Sequence, residues 1–553
     1  MKLNKKCSSI LLGLLRVNSG CIKSSLLLSK RFYSYSLGIK PKFNLVRTIY
    51  EDPQVVAHEL PDVKDYLLKK NFHHSNPYKD IPISSIILTP DEIKEFKDST
   101  SNISINTKSR NTAYDYELNF SILENGLRIV SSDCGESVSK LSLYIHAGSR
   151  FETSETQGVS HFLQLMAFKS TEYLSYLQTI RTLEILGVNA GSSANREHIV
   201  YNIECLREYS SIMIPLLIGN ISSPKFLRHE IRDARGLVEN FALTLNKDPE
   251  TLITEMIHTV AWNNTLGNQI FASESSLQHF NEKTMRSFMQ SYFIPERMIF
   301  VGTGIEHNIL CKWIMRSFTN YTTKFQIQKT RSISNIRPNY TGGEWRKESN
   351  NFLTHIAIAL ETSCGWTSKD IVPLSILQAY MGGGGSFSTG GPGKGMYTKL
   401  FLDILNRYEW VETCNCFVNQ YSDSGLFGIY ISVDPQRTID ALYVISKELN
   451  QMKNLDSEEL QRAKNAIKGA ISINLENRSI AMDDIAKQLL CTNEYISTEA
   501  FCKAVDTVTK EDIVRISESI LRSIDKPTLV IYGNTNYAPT YREVVHILQG
   551  KSV

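Results

Sequence analysis

The feature that most constrains the fold is an internal repeat. Residues 141–146 alternate apolar and polar side chains, as a strand does, and a helix containing Phe162-Leu-Gln164 follows them. The same succession returns at residues 355–359 and Ile376-Leu-Gln378, and Ile376 lies 214 residues after Phe162. A repeat of this length indicates one folding unit that is present twice.

Later matches between the two copies are spaced more widely. Glu230 corresponds to Glu459 and Glu282 to Glu511, and 229 residues separate the members of each pair. The increase from 214 to 229 indicates an insertion in the second copy, most of which is the stretch 382–395. Because each copy combines alternating strands with helices, we predict an α+β fold of two tandem homologous αβ domains, each an antiparallel-rich sheet packed with helices.

Composition divides the rest of the chain. Residues 1–33 hold seven Lys or Arg and no acidic residue, which is typical of a mitochondrial presequence. Arg31 stands third before a cleavage position that we expect between Tyr33 and Ser34; a secretory signal is the alternative, but Arg16 cuts its apolar core short. The remaining segments are predicted as a polar, partly disordered extension (34–113), the first domain (114–321), a linker (322–346) and the second domain (347–553).

Charge and cysteine content narrow the class of partner. The net charge of +3 becomes −4 once the seven cations of residues 1–33 are removed, so the body of the protein favours a cationic partner over nucleic acid. The ten cysteines include no C-x-x-C pair, which argues against a zinc knuckle. No run reaches the roughly 18 apolar residues of a membrane helix, so we expect a soluble or peripheral protein.

The inserted stretch 382–395 contains eight glycines in fourteen residues. Such a segment is either mobile or approaches a ligand with its backbone, and a plain linker is the alternative. It is not a phosphate-binding loop of a known kind, because Gly393-Lys394 is followed by glycine instead of Ser or Thr and no frame gives G-x-G-x-x-G. Helix-like apolar segments flank the stretch, which favours contact with a ligand.

Four segments resemble the α subunits of mitochondrial processing peptidases, which belong with the pitrilysin-like metallopeptidases. They are Gly148-Ser-Arg-Phe-Glu152, Ala167-Phe-Lys-Ser-Thr171, His258-Thr-Val-Ala-Trp262 and, most specifically, the glycine stretch 382–395. Active members of the family carry H-x-x-E-H on a helix, where two histidines bind zinc and the glutamate activates water. The resemblance covers the chain from about residue 114 to its end.

At the matching position this chain has His161-Phe-Leu-Gln164-Leu165. Leu165 cannot bind a metal, and Gln164 cannot act as a general base. Glu239 lies near where a distant glutamate ligand would fall, but His161 and Glu239 together are fewer than the three protein ligands of a catalytic zinc ion. We therefore expect no catalytic residue, no metal and no peptidase activity in this chain alone, with His161 an ordinary helix residue.

The resemblance implies a non-catalytic subunit of a heterodimer in the mitochondrial matrix, whose catalytic β partner carries the zinc. Its substrates would be cationic presequence peptides. Asp403, Glu409 and Glu412, which follow the glycine stretch closely, are candidate carboxylates that would attract these peptides, whereas Lys394 would repel them. The candidate substrate-binding residues are Gly382, Gly383, Gly384, Gly385, Ser386, Phe387, Gly390, Gly391 and Gly393.

Two other functions remain open from the sequence. Relatives of this family serve as structural core subunits of respiratory complex III on the matrix face of the inner membrane, in some lineages alongside the peptidase role. The glycine stretch favours the peptidase role, because a purely structural subunit has little need of it. A self-sufficient metallopeptidase requires a zinc site that this sequence lacks.

Overall fold

The computed structural model describes residues 118–133, 135–324, 336–385 and 396–551. Several sequence-based expectations fall outside the described residues. They are the presequence, the cleavage position at Tyr33 and Ser34, the extension up to residue 113, and the loop residues Ser386, Phe387, Gly390, Gly391, Gly393 and Lys394.

The first half forms a six-stranded sheet in the order β1-β2-β6-β3-β5-β4. Strands β2 and β6 run parallel, and the other neighbours are antiparallel. The strands are β1 (Leu118–Ile122), β2 (Arg128–Ser132), β3 (Val138–Ile145), β4 (Asn189–Ala194), β5 (Ile199–Leu206) and β6 (Met298–Thr303). The helices are α1 (Val159–Leu165), α2 (Tyr176–Ile185), α3 (Ser210–Ser222), α4 (Arg228–Leu245), α5 (Pro249–Ala261), α6 (Glu282–Tyr292) and α7 (His307–Lys324).

The second half forms another six-stranded sheet in the order β7-β12-β8-β11-β10-β9, in which only β7 and β12 run parallel. The strands are β7 (Gly343–Glu348), β8 (Thr354–Thr362), β9 (Gly383–Gly385), β10 (Val411–Gln420), β11 (Gly425–Val433) and β12 (Thr528–Gly533). The helices are α8 (Ile371–Met381), α9 (Thr438–Gln451), α10 (Ser457–Leu475), α11 (Arg478–Thr492), α12 (Thr498–Thr507), α13 (Lys510–Leu521) and α14 (Tyr541–Leu548).

The two sheets share one topology. The run β2-β6-β3-β5-β4 corresponds strand by strand to β7-β12-β8-β11-β10, including the single parallel pair. The prediction of two tandem homologous αβ domains, each an antiparallel-rich sheet with helices, is confirmed. Strand β7 begins at Gly343, inside the segment 322–346 that we predict as a linker. It is the counterpart of β2, so the second repeat begins before the predicted boundary at residue 347. Among the strands that the structure describes, β9 has no counterpart in the first sheet.

Each half covers one face of the other half's sheet with a helix. Helix α5 of the first half packs its apolar side, with Trp262, on the second sheet. Helix α11 of the second half packs on the first sheet in the same way. In β8, Ala357 and Ala359 face α5, whereas Ile356, Ile358 and Leu360 point to the opposite face, as the two-residue period of a strand requires.

The opposite face of the second sheet carries a large apolar core, to which α8, α9, α10, α13 and α14 contribute. On the first sheet, α3 packs against β5 and against α7. Within the described ranges no disulfide forms. Of the helices that the structure describes, none is long and apolar enough to cross a membrane.

Candidate functional site

Helix α1 carries the degenerate motif and begins at a glycine that no other residue could replace easily. Gly158 has a φ of +84°, and a Cβ added there would lie 2.7 Å from the side chain of Ala272. The carboxylate of Glu152 accepts hydrogen bonds from the N–H groups of Gly158 and Ser160 at 2.6 and 2.8 Å. Burial raises the pKa of Glu152 to about 7, and hydrogen bonds from Ser160 and Gly158 oppose this rise.

His161 is a buried core residue of this helix. Its side chain is 2% exposed, and its ring centroid lies 5.5 Å from the rings of both Phe241 and Phe271. Its Nδ1 accepts a hydrogen bond from the N–H of Ala272 at 3.2 Å, which places the ring proton on Nε2. Burial lowers the pKa of His161 to about 4, so the ring is neutral at physiological pH.

Gln164 ties α1 to the edge strand of the first sheet. Its side-chain Oε1 accepts a hydrogen bond from the N–H of Ala194 at 3.0 Å, and its main-chain oxygen accepts one from the hydroxyl of Ser192 at 2.9 Å. Both partners belong to β4. At the position where active relatives have a general base, this chain has a structural hydrogen bond.

The residues on and around α1 do not fit a zinc ion. His161 has its Nδ1 bonded to the backbone and its ring among phenyl groups, and Leu165 has no ligand atom. Glu239 is exposed on α4, and it is Phe241 from this helix that contacts His161. In the described part of the chain, no group of three or more His, Cys, Asp or Glu side chains is arranged to hold a metal ion.

The first residues of the glycine stretch form strand β9 at the edge of the second sheet. Gly383, Gly384 and Gly385 pair antiparallel with residues 415, 414 and 413 of β10. Gly382 and Gly383 have φ values of +56° and +107°, and a Cβ on Gly383 would lie 2.1 Å from the carbonyl oxygen of Cys414. Glycine is therefore required here by close backbone approach as well as by conformation.

The three candidate carboxylates have different surroundings. Asp403 bonds Lys399 at 3.1 Å and Arg407 at 2.9 Å, so its charge is balanced. Glu409 and Glu412 are exposed and form no ion pair within the described residues. Because Gly385 pairs with residue 413, Glu412 lies on β10 beside the point where the described part of β9 ends.

Arg150 joins the two halves at the turn after β10. Its guanidinium donates to Glu197 at 2.8 Å in the first half and to Ser422 at 2.9 Å in the turn after β10, and it forms an ion pair with Asp423. Glu197 also accepts from the N–H of Ser422 at 3.1 Å. Sequence reasoning missed this role, although Arg150 belongs to the motif Gly148-Ser-Arg-Phe-Glu152 on which the family resemblance partly rests.

Comparison with known proteins agrees with this geometry. The family described as insulinase (peptidase family M16) matches residues 128–274, and the peptidase M16 inactive domain matches residues 279–467. The mitochondrial-processing peptidase subunit alpha of Solanum tuberosum is 34% identical over 426 residues, which are 76% of this chain and 83% of the relative. The human protein of that name is 31% identical over 452 residues, 79% and 86% of the two chains.

A solved structure shares the fold. A chain of complex III2 from Candida albicans, determined with Inz-5 bound, superposes with a TM-score of 0.65 at 17% identity and covers 78% of this chain and 99% of its own. At this identity the likeness concerns the fold alone. The sequence relatives and the two M16 matches go further, and they show that this chain belongs to the M16 peptidase family, in its group of mitochondrial-processing peptidase alpha subunits.

Proposed function

We propose that this chain is the substrate-recognising, non-catalytic alpha subunit of a heterodimeric mitochondrial processing peptidase in the matrix, and that a beta partner supplies the zinc site. The observation that carries the proposal is the state of α1. His161 is neutral and enclosed by Phe241 and Phe271, and Gln164 is hydrogen-bonded to β4. Because these two positions stabilise the fold and offer neither a zinc site nor a general base, peptide cleavage in the complex would have to be catalysed by the other chain.

Substrate recognition is assigned to the glycine edge of the second sheet. Strand β9 is last in the sheet order, so its outer backbone groups can pair with an extended peptide without requiring particular side chains. A presequence is cationic, and exposed Glu409 and Glu412 would attract its Lys and Arg residues. Asp403 contributes less, because Lys399 and Arg407 already balance its charge.

The test uses the heterodimer reconstituted with a partner that contains an intact H-x-x-E-H. A fluorescent presequence peptide is titrated at low and physiological salt, with wild type, the double variant Glu409→Gln/Glu412→Gln, and Glu518→Gln, which alters an exposed carboxylate on α13. We expect the double variant to weaken peptide binding about 3–10-fold at low salt and less at high salt, because exposed charges are screened. Equal affinities for all three proteins would contradict the recognition role.

Zinc content and cleavage activity test whether the metal site belongs to the beta partner and not to this chain. We expect the purified single chain to bind no stoichiometric zinc and to cleave no presequence, and the heterodimer to hold one zinc-dependent activity in the partner. Tightly bound zinc in the single chain would overturn the proposal. Sequencing the mature N-terminus tests the expected cleavage between Tyr33 and Ser34.

A role as a core subunit of respiratory complex III is the second candidate, and the likeness to a complex III2 chain supports only the shared fold. Native electrophoresis of mitochondrial extract separates the two functions. Migration with a partner of similar size supports the peptidase, whereas quantitative migration with cytochromes supports the structural role.

A further inference from the structure

A pocket of about 340 Å³ lies where α11 ends against the strand ends of the first sheet. None of its lining residues belongs to α1 or to the glycine stretch. The lining combines the β1–β2 hairpin, the junction of β3 with β6, and the end of α11, and consists of Ile122, Gly126, Arg128, His146, Glu296, Arg297, Leu490 and Asn493.

Two arginines dominate the charge of this pocket. Arg128 donates to the carbonyl oxygen of Leu489 at 2.9 Å and to Oδ1 of Asn493 at 2.7 Å, which anchors the end of α11. Arg297 donates from Nε to the carbonyl oxygen of His146 at 2.8 Å and lies 4.5 Å from the ring centroid of Phe151. All these acceptors are uncharged.

Neither guanidinium has a carboxylate partner within 4.0 Å in the part of the chain that the structure describes. Nε of Arg128 and Nη2 of Arg297 are buried and have no hydrogen-bond acceptor among the described residues. Burial also lowers the pKa of Arg297 to about 10, which leaves it charged at neutral pH. A half-buried guanidinium group without a carboxylate partner carries uncompensated positive charge, and an anion in the pocket would balance it.

The other polar groups of the lining narrow the chemical class of the expected ligand. The pKa of His146 is lowered to about 3 by burial and by neighbouring cations, Arg297 first, so its ring is neutral and adds no charge. Glu296 is exposed and is the one carboxylate in the lining. Two guanidinium charges opposed by a single carboxylate match a compact anionic group with several acceptor oxygens.

We propose that this pocket binds a phosphate group, supplied either as free inorganic phosphate or as the headgroup of an anionic phospholipid. The site is separate from the proposed presequence surface, because its lining includes no residue of β9 or β10 and neither Glu409 nor Glu412. The two guanidinium groups bind the phosphate oxygens, and Glu296 weakens binding by repulsion.

The test titrates sodium phosphate into the mature chain by calorimetry, at constant ionic strength, with a parallel thermal-shift series. Wild type should bind saturably with a rise in Tm. Arg297→Gln should weaken binding about tenfold or more, since it removes a charge-assisted hydrogen bond and one of the two positive charges of the lining. Glu296→Gln should tighten binding about 2–5-fold by removing repulsion. Arg437→Gln, at an exposed ion pair with Asp440, is the matched control and should bind as wild type does.

The opposite signs expected for Arg297→Gln and Glu296→Gln keep the test decisive if the arginine variant is unstable, because Glu296 is exposed. Sedimentation with vesicles of neutral lipid, with and without an anionic phospholipid, distinguishes the two sources. Binding of free phosphate, or of anionic vesicles alone, supports the site if it follows both variants. Absence of binding in both arms, or binding that Glu296→Gln leaves unchanged, overturns it.

Discussion

At the scale of single residues, the position that carries the general base in active relatives has a structural role here. Gln164 bonds the edge strand β4, and Gln378, its counterpart in the second half, lies with Nε2 3.5 Å from the carbonyl oxygen of Cys416 on β10. Gln164→Leu would leave the buried N–H of Ala194 without an acceptor. We expect it to lower the free energy of unfolding by about 1–3 kcal/mol, measured by urea titration. Gln461→Leu, at an exposed position of α10, should change it by less than about 0.5 kcal/mol; equal losses would contradict this role.

Glu152 makes stability depend on pH. Its pKa is about 7 in the folded protein against an ordinary value of 4.5, so folding takes up a proton between these values. The stability that this group contributes is fully present below pH 4.5 and is lost as the pH rises through about 7, a change of up to about 3 kcal/mol. Asp484, with a pKa raised to about 7, acts in the same sense and is common to all variants. Glu152→Gln should therefore lose less stability than wild type between pH 5 and 8 in urea titrations, whereas exposed Glu155→Gln should follow wild type.

At the scale of elements, strand β9 tests the importance of the glycine stretch. Gly383→Ala would force a Cβ to within 2.1 Å of the Cys414 carbonyl oxygen and would separate β9 from β10. We expect the reconstituted heterodimer to assemble normally but to bind presequence peptide at least about tenfold more weakly, measured by fluorescence anisotropy. Gly469→Ala on α10, where an added Cβ meets no atom within 4 Å, is the matched control. Unchanged affinity in Gly383→Ala would remove β9 from the binding surface.

The elements also show what could be predicted from the sequence. The repeat predicted both sheets, because strand alternation and helix spacing are local patterns that survive in each copy. It could not show which sheet α5 and α11 cover, since an apolar helix face does not specify its partner. The sequence does not predict strand β7, because Gly-Glu-Trp-Arg-Lys-Glu is mostly polar and does not alternate apolar and polar residues, so its beginning is interpreted as linker. The sequence alone shows that Gln164 cannot be a general base. It does not show the hydrogen bond from Ala194 to Gln164 or the contacts of Arg150 with Glu197 and Ser422, because these partners are distant in sequence.

At the scale of the whole molecule, the exchanged helices make the two halves one cooperative unit. Unfolding either sheet uncovers the apolar face of a helix from the other half. We expect a single calorimetric transition for residues 118–551, with equal van't Hoff and calorimetric enthalpies.

Arg150→Met should lower the free energy of unfolding by about 3–5 kcal/mol, because Glu197 is buried, yet should preserve the single transition. Arg437→Met, at an exposed ion pair with Asp440, should leave the free energy of unfolding nearly unchanged. Two resolved transitions in wild type would contradict the coupling between the two halves.

The reciprocal exchange of α5 and α11 has a further consequence. Two matching units that each place a helix on the other are related by a pseudo-two-fold axis, as the protomers of an isologous homodimer are, but here they are fused in one chain. In a true homodimer every substitution occurs twice, so a site cannot be lost on one side and kept on the other. Fusion removes that constraint. It allows β9 to be added at the edge of one unit alone, while the other unit keeps His161 and Gln164 solely for the structure.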